Sequence, residues 1–274
     1  MLRVAALQFC GSGHVQENLT VISDLIAKAA GQGAQWVCLP ECSNIMGAGA
    51  KALNARAEAA ENSLSSTHIS ALAQHYQITI FIGSLLLKDS HSNRLVNRSL
   101  VFGPDGRQLY YYDKIHMFDA DVGDGVRYAE SDQFAAGNRA VIAKLPEANA
   151  GLSICYDLRF PHLYRRLAQA GASILMIPAA FTYKSGAAHW HMLQRARAIE
   201  TGSFVIASAQ VGTHGDGRQT YGHALIISPW GAVLADGGSE TDPHIILADL
   251  DLSDVARARS AITAWQHNPE FSLD

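Results

Sequence analysis

Three reactive side chains, Glu41, Lys114 and Cys155, each stand at the end of an apolar run that reads as a strand. Glu41 comes after residues 36–39 and Pro40, Lys114 after residues 108–112, and Cys155 closes residues 151–155. In α/β sheets functional groups gather just beyond the carboxyl ends of strands. A thiol, a carboxylate and an ammonium brought together there supply a nucleophile, a base and a cation, the parts that acyl transfer needs. Cys155 leads into Tyr156-Asp157-Leu158-Arg159-Phe160-Pro161, whose proline suits the first turn of a helix. A strand, a sharp turn and a helix form the device that lifts a nucleophile out of a sheet. Taken singly, the three residues read as a loop carboxylate, a surface cation and a packed thiol. Their joint placement is what points to chemistry.

The elements that must position these groups alternate along the chain. Strand-like runs fall at 3–8, 36–39, 78–86, 96–102, 108–112, 140–145, 151–155, 173–177, 204–208, 223–228, 232–235 and 245–250. Helical patterns fit 17–30, 66–75, 161–170, 188–201 and 253–259; in the first, Leu19, Ile22, Leu25 and Ile26 recur at helical spacing. Phe102-Gly103-Pro104-Asp105-Gly106 and Ile227-Ser228-Pro229-Trp230-Gly231 are near twins, each joining two apolar runs as a hairpin turn would. A weak repeat also relates residues 29–40 to 167–178: helix end, Gly turn, Ala, buried strand, proline. Two similar halves imply an α/β fold of four layers, an α-β-β-α sandwich with helices outside two facing sheets. Coincidence is the alternative, because Gly-Ala before a buried strand is common. No linker divides the chain, which reads as one domain over residues 1–274, with a core at about 3–252 and a tail at 253–274.

Composition bounds the function classes. The 274 residues are 48% hydrophobic and 17% charged, enough apolar material for a large core and too little charge for a disordered chain. A net charge of −4, with no run of Lys or Arg longer than two, gives no electrostatic footprint for nucleic acid. The longest apolar stretches, such as 78–87, are too short to span a bilayer, and the N-terminal residues read as a strand rather than a signal peptide. A cytoplasmic protein is expected. The scattered Cys10, Cys38, Cys42 and Cys155 do not form a disulfide framework. Cys38 and Cys42 have a C-x3-C spacing but lack a second ligand pair, so no metal is expected. Cys10, Cys38 and Cys42 keep the reading of small packed hydrophobes, with Cys42 close enough to Glu41 to border a pocket.

Leu39-Pro40-Glu41, Tyr112-Asp113-Lys114-Ile115-His116-Met117 and Cys155-Tyr156-Asp157-Leu158-Arg159-Phe160-Pro161 occur in this order, and with them the sequence resembles the nitrilase superfamily of carbon–nitrogen hydrolases. The resemblance runs from Arg3 to about Leu252. It implies a Glu-Lys-Cys triad on an α-β-β-α sandwich, made of Glu41, Lys114 and Cys155. It also implies a second glutamate, for which Glu130 stands sixteen residues after Lys114, beyond a polar Gly-rich loop at 118–125 that suits a pocket rim. A free thiol of pKa ~8.5 is only about 3% ionised at pH 7, so Cys155 needs help. Glu41 is expected to take its proton and later deliver one to departing ammonia, with burial raising its pKa. Lys114 and the backbone N–H of Tyr156 would stabilise the oxyanion. Water activated by Glu41 would then release the acid from a thioester on Cys155, and Glu130 would orient Lys114 and the water or bind the leaving amine. The chemistry requires no metal or organic cofactor.

Residues 178–182, 188–190 and 195–200 are similar to amidases acting on α-keto analogues of glutamine or glutathione, and 209–214 and 218–223 resemble deaminated-glutathione amidases. The alternative is an ω-amidase acting on α-ketoglutaramate or another small aliphatic amide; such enzymes usually carry a Ser-Pro-Ala-Arg type sequence that is absent near 209–212. Cys155-Tyr156-Asp157, in place of Cys-Trp-Glu, argues against nitriles. Met117, Tyr156, Phe181 and Thr182 are candidates to line the substrate pocket, although aromatics in such places are as often core. Arg195 and Arg197 could reach a substrate carboxylate or hold packing and ion pairs. His189 and His191, two apart on a helix, face apart and do not make a metal pair. The resemblance implies a homodimer or higher homo-oligomer, with a small amide and water as the reaction partners. From another class, a non-catalytic scaffold would not need the intact triad.

Overall fold

The computed structural model describes residues 1–90, 94–123, 125–268 and 270–273. The first sheet contains β1 (Leu2–Phe9), β2 (Trp36–Cys38), β3 (Glu58–Ala59), β4 (Thr79–Lys88), β5 (Leu95–Phe102) and β6 (Gln108–Asp113). It also takes β13 (Ala209–Thr213), β14 (Gln219–Tyr221) and β17 (His244–Leu250). Its order is β14-β13-β1-β2-β4-β5-β6, with β17 on β1 and β3 on β4. The second sheet contains β9 (Ile142–Lys144), β10 (Asn149–Leu152), β11 (Ile174–Met176), β12 (Phe204–Ala207), β15 (Leu225–Ile227) and β16 (Val233–Asp236), in the order β16-β15-β12-β11-β10-β9. A small ribbon pairs β7 (Asp119–Asp121) with β8 (Arg127–Ala129). The helices are α1 (Val15–Gly31), α2 (Ala50–Arg56), α3 (Leu64–Tyr76), α4 (Pro161–Gln169), α5 (Tyr183–Thr201) and α6 (Ser253–Ala261).

Strand alternation explains the four layers. On β1, Leu2, Val4 and Ala6 join the cluster that holds the second sheet, including Leu175, Ile206 and Ile226. Ala5, Leu7 and Phe9, on the other face, pack with Leu19, Ile22, Leu25 and Ile26 of α1 and Ile69 of α3. Each such Val, Leu, Ile or Phe side chain contributes about 1.5–3 kcal/mol when fully buried. Beyond the second sheet, Leu163, Tyr164 and Leu167 of α4 and Trp190 and Ala198 of α5 complete the larger cluster. The order is helix, sheet, sheet, helix, as expected from the sequence. Among the described residues no helix is long and apolar enough to cross a membrane.

The two near-twin turns are alike in space. Gly103 N–H donates to Arg107 O at 2.9 Å and Ser228 N–H to Ala232 O at 2.9 Å, each closing an antiparallel hairpin. The repeat also has a physical counterpart. Leu39 N–H donates to Phe81 O at 2.9 Å in the first sheet, as Ile177 N–H does to Ile206 O at 2.9 Å in the second. Every strand read from the sequence is present, within a few residues at its ends. Sequence reading misses α2, β3, β7, β8, β13 and β14, which are short or lack a clean apolar period, and α5 begins at Tyr183 rather than at residue 188.

Candidate active site

Glu41 sits in a turn just past β2 that the strands around it hold closely. Cys42, with φ at +57°, donates its N–H to Ser84 Oγ at 2.9 Å, and Ser84 N–H reaches Pro40 O at 3.2 Å. Gly83 permits this approach: a Cβ there would lie 2.1 Å from Leu39 O and 2.4 Å from Pro40 O. Gln210 Nε2 donates to Glu41 O at 3.0 Å, fixing the backbone from the other side. The carboxylate is buried. Its Oε1 accepts from Lys114 Nζ at 3.0 Å and Asn97 Nδ2 at 2.9 Å, and Oε2 accepts from Ala180 N–H at 2.8 Å.

Lys114 follows β6 and is equally buried. Its N–H donates to Asn97 O at 3.0 Å and its carbonyl accepts from Gly137 N–H at 2.8 Å. Gly137 is another enforced close approach, since a Cβ would meet Asp113 O at 2.2 Å. The ammonium donates to Glu41 and to both oxygens of Glu130, at 3.0 and 2.8 Å. Glu130 also accepts from Phe118 N–H at 2.7 Å and from Asn97 Nδ2 at 3.2 Å.

Cys155 lies past the end of β10, as the first residue of a short 3-10 turn (Cys155–Arg159), with φ at +48°. That left-handed conformation costs a non-glycine residue about 1–2 kcal/mol. Asp157 holds the turn. Its Oδ2 accepts from Ile154 N–H at 2.8 Å and Tyr112 Oη–H at 2.7 Å. Its Oδ1 accepts from His116 N–H at 3.1 Å and contacts His116 Nδ1 at 2.7 Å. One buried aspartate thereby joins the cysteine turn to the strand end that carries Lys114. Pro161 opens α4 as expected.

The electrostatics correct one expectation. Burial pushes the Glu41 carboxyl up, but Lys114, the Cys155 thiol and the Ala180 N–H together hold it below its ordinary value. Burial pulls the Lys114 ammonium down, and Glu130 and Glu41 more than offset this, holding it well above the usual lysine value. Burial and the Glu41 charge hold the Cys155 thiol well above its ordinary value despite Lys114. The resting site therefore contains an ionised Glu41, a charged Lys114 and a protonated Cys155. Low local dielectric favours this arrangement because a thiolate would face two carboxylates with one ammonium between them.

Glu41, Lys114, Glu130 and Cys155 all line a cavity of about 230 Å³. Cys42, Met46, Leu53, Leu86 and Phe134 form its apolar wall, and Arg127, Tyr128, Asp216 and Arg218 also border it. Of the rim loop expected at 118–125, Asp124 lies outside the described residues; among the rest, Phe118 lines the cavity. The structure does not bring Met117, Tyr156, Phe181 or Thr182 to this cavity. Tyr156, Phe181 and Thr182 line a second, narrower recess with Arg159 and Ser185, and the two spaces meet at Cys155, Phe118 and Ala180. Met117 packs beside the apolar wall. Arg195 and Arg197 hold structure: Arg195 Nε donates to Gly231 O at 2.8 Å, and Arg197 donates to Leu158 O at 2.9 and 2.7 Å.

Sequence reading missed Asn97, whose amide touches both carboxylates, and the clamp formed by Asp157. A polar side chain within the apolar run 96–102 was the available signal for Asn97. Asp157 stood inside a quoted segment, but its partners come from a distant strand end. A carboxylate with two imidazoles lies elsewhere: Asp236 contacts His191 Nε2 at 3.0 Å and His223 Nδ1 at 2.9 Å. These donors suit a divalent transition metal, yet each is already partnered by hydrogen bonds.

A profile of the carbon-nitrogen hydrolase family matches residues 3–260. The deaminated glutathione amidase of Synechocystis sp. is 38% identical to this chain over 266 residues, covering 96% of each. The omega-amidase NIT2 of Homo sapiens is 36% identical over 264 residues, covering 96% of this chain and 94% of that protein. Among solved structures, the NitFhit protein of C. elegans superposes with a TM-score of 0.90 at 33% identity, covering 97% of this chain and 65% of that one. Nit3 of Saccharomyces cerevisiae, a member of branch 10 of the nitrilase superfamily, gives 0.85 at 28% identity, covering 95% and 94%.

Proposed function

The chain belongs to the carbon-nitrogen hydrolase family and is an amidase, and on that premise we propose that Cys155 attacks the amide of an α-keto acid derivative. One observation carries this reading: Glu41, Lys114 and Cys155, far apart in the chain, converge on one buried cavity with Glu130 against the lysine. The protonated thiol gives its proton to Glu41 as sulfur bonds to the carbonyl carbon, so that thiolate charge never accumulates beside two carboxylates. The oxyanion forms within reach of Lys114 and of the Tyr156 N–H at the open start of the 3-10 turn. Glu41 returns the proton to the leaving nitrogen, and the thioester remains on Cys155. Water, deprotonated by Glu41, then attacks the thioester and releases the acid, and Glu41 passes the proton to the departing Cys155 sulfur, which restores the resting thiol. Asn97 and Glu130 hold Lys114 and Glu41 in register for both halves.

The narrower recess supports the substrate class. Arg159 is half-buried there, close to the rings of Tyr156 and Phe181, and among the described residues no carboxylate pairs with it. A half-buried cation without a counter-ion favours an anionic guest. The recess holds about 20 Å³, room for one small polar group, so the carboxylate of an α-keto acyl group would enter it alone, beside the Thr182 and Ser185 hydroxyls that bond each other at 2.6 Å. Deaminated glutathione is the favoured substrate and α-ketoglutaramate the second reading; both carry this acyl group. They differ in what leaves. The scissile nitrogen of deaminated glutathione belongs to cysteinylglycine, so that reaction releases a dipeptide, whereas α-ketoglutaramate releases ammonia.

The test is to follow both products with both substrates. The wild-type protein is expected to cleave at least one much faster than simple aliphatic amides; equal rates would remove the α-keto acid assignment. Rapid quenching and mass spectrometry should find an acyl adduct on Cys155 alone. Cys155→Ala should lose turnover while keeping the near-ultraviolet circular dichroism of the folded chain, and substantial residual hydrolysis would overturn the nucleophile. Glu41→Gln should lower turnover by about 10²–10⁴-fold with adduct formation blocked.

We also propose that the chain works as one hydrolase unit, in the cytoplasm, as a homodimer or higher oligomer. Met192 and Ile199, a heptad apart on α5, are 75% and 50% exposed, and Trp230 nearby is 64% exposed. Large apolar side chains grouped this way mark an association surface.

A further inference from the structure

We infer that the 230 Å³ cavity is a leaving-group subsite for an amine that carries its own carboxylate, with Arg218 as the anion-binding residue. The inference rests on the amidase reading above. Glu41, the group that returns a proton to the departing nitrogen, lines this cavity and not the recess of Arg159. Whatever substituent the nitrogen bears must therefore lie on the cavity side of Cys155. A space of this size is far larger than ammonia needs, since one water requires only about 10–15 Å³ of such space. The Leu53, Leu86 and Phe134 wall suits the body of a small peptide.

The polar groups on the wall match such a guest. Asn97 Oδ1 and Gln133 Oε1 are buried acceptors without a partner among the described residues, and both residues line the cavity. Buried acceptors of this kind call for donors, which a leaving dipeptide supplies as N–H groups. Arg218 stands over the ring of Tyr128, with its guanidinium carbon 5.7 Å from the centroid. Asp216 is 3.7 Å away, a long single contact rather than a fork, and leaves the guanidinium able to take a second carboxylate. The loop carrying Arg218 is rigidly held: His214 N–H donates to Arg218 O at 2.9 Å, and the His214 ring bridges Gly11 O at 2.9 Å and Thr220 Oγ1 at 2.8 Å. Arg127 adds a second cation to the same wall. Two cations in separate spaces that meet at Cys155, Arg159 and Arg218, suit an amide with a carboxylate at each end.

The experiment compares the α-ketoglutaryl amide of cysteinylglycine with its C-terminally amidated analogue. The wild-type protein is expected to prefer the free acid, and Arg218→Gln to reduce that preference by about 10- to 100-fold through KM, the effect of losing one charge-assisted contact. Arg218→Lys, which keeps the charge and loses the fork, should restore part of it. An unchanged ratio in Arg218→Gln would overturn the subsite. A calorimetric titration with glycylglycine reads the subsite without turnover: binding at least tenfold weaker in Arg218→Gln supports it, and equal binding overturns it. Failure of the acyl assignment shows separately, as absence of turnover of either amide with the titration result still standing.

Discussion

The Lys114 ammonium lies between two carboxylates, and that placement fixes how the site responds to pH. Glu41 is held below its ordinary value, burial being outweighed by Lys114, the Cys155 thiol and the Ala180 N–H. Lys114 is held above its own, burial being outweighed by Glu130 and Glu41. An acid limb in kcat/KM should therefore fall below the ordinary carboxylate value of ~4.3 and an alkaline limb above the ordinary lysine value of ~10.4. The expected profile is flat from about pH 5 to 9, and an acid limb near 6–7 would contradict the ionised resting state of Glu41. The same shifts act on stability. The Glu41 contribution is present above its unfolded value and lost as pH falls through the folded one. The Lys114 contribution is present below its unfolded value and lost as pH rises through the folded one.

At the scale of elements, the site depends on how closely neighbouring strands approach the turns that bear its residues. Gly83 of β4 touches the carbonyls of Leu39 and Pro40, and Gly137 touches that of Asp113. Gly83→Ala would force a Cβ to within 2.1 Å of Leu39 O unless the backbone moved. A loss of at least about 2–3 kcal/mol in denaturant unfolding is expected, together with reduced kcat, because the displaced turn carries Glu41. Normal stability and activity in this variant would show that the close approach is not needed. The Asp157 clamp works in the same way between β6 and the Cys155 turn, joining two elements with four hydrogen-bonding contacts to one buried side chain.

For the whole molecule, the proposed pairing through α5 predicts a dimer by light scattering, converted to monomer by the double change Met192→Asp and Ile199→Asp. A wild-type monomer at micromolar concentration would dismiss that surface. The sequence by itself determined the layers and the chemistry's parts. Period-2 and period-3.6 apolar patterns assign strands and helices locally, and Glu41, Lys114 and Cys155 announce themselves by residue type and position at strand ends. Glu130 was legible through the resemblance alone. Only the tertiary structure decided that Lys114 bridges Glu41 and Glu130, that Asn97 and Asp157 hold the site, and that Glu41 is lowered rather than raised. It also separated Tyr156, Phe181 and Thr182 in the recess from the cavity that contains Arg218. The physical reason is range. Periodicity and turn chemistry act over a few residues, whereas a buried charge takes its pKa, and a cavity its walls, from groups that folding brings together from distant parts of the chain.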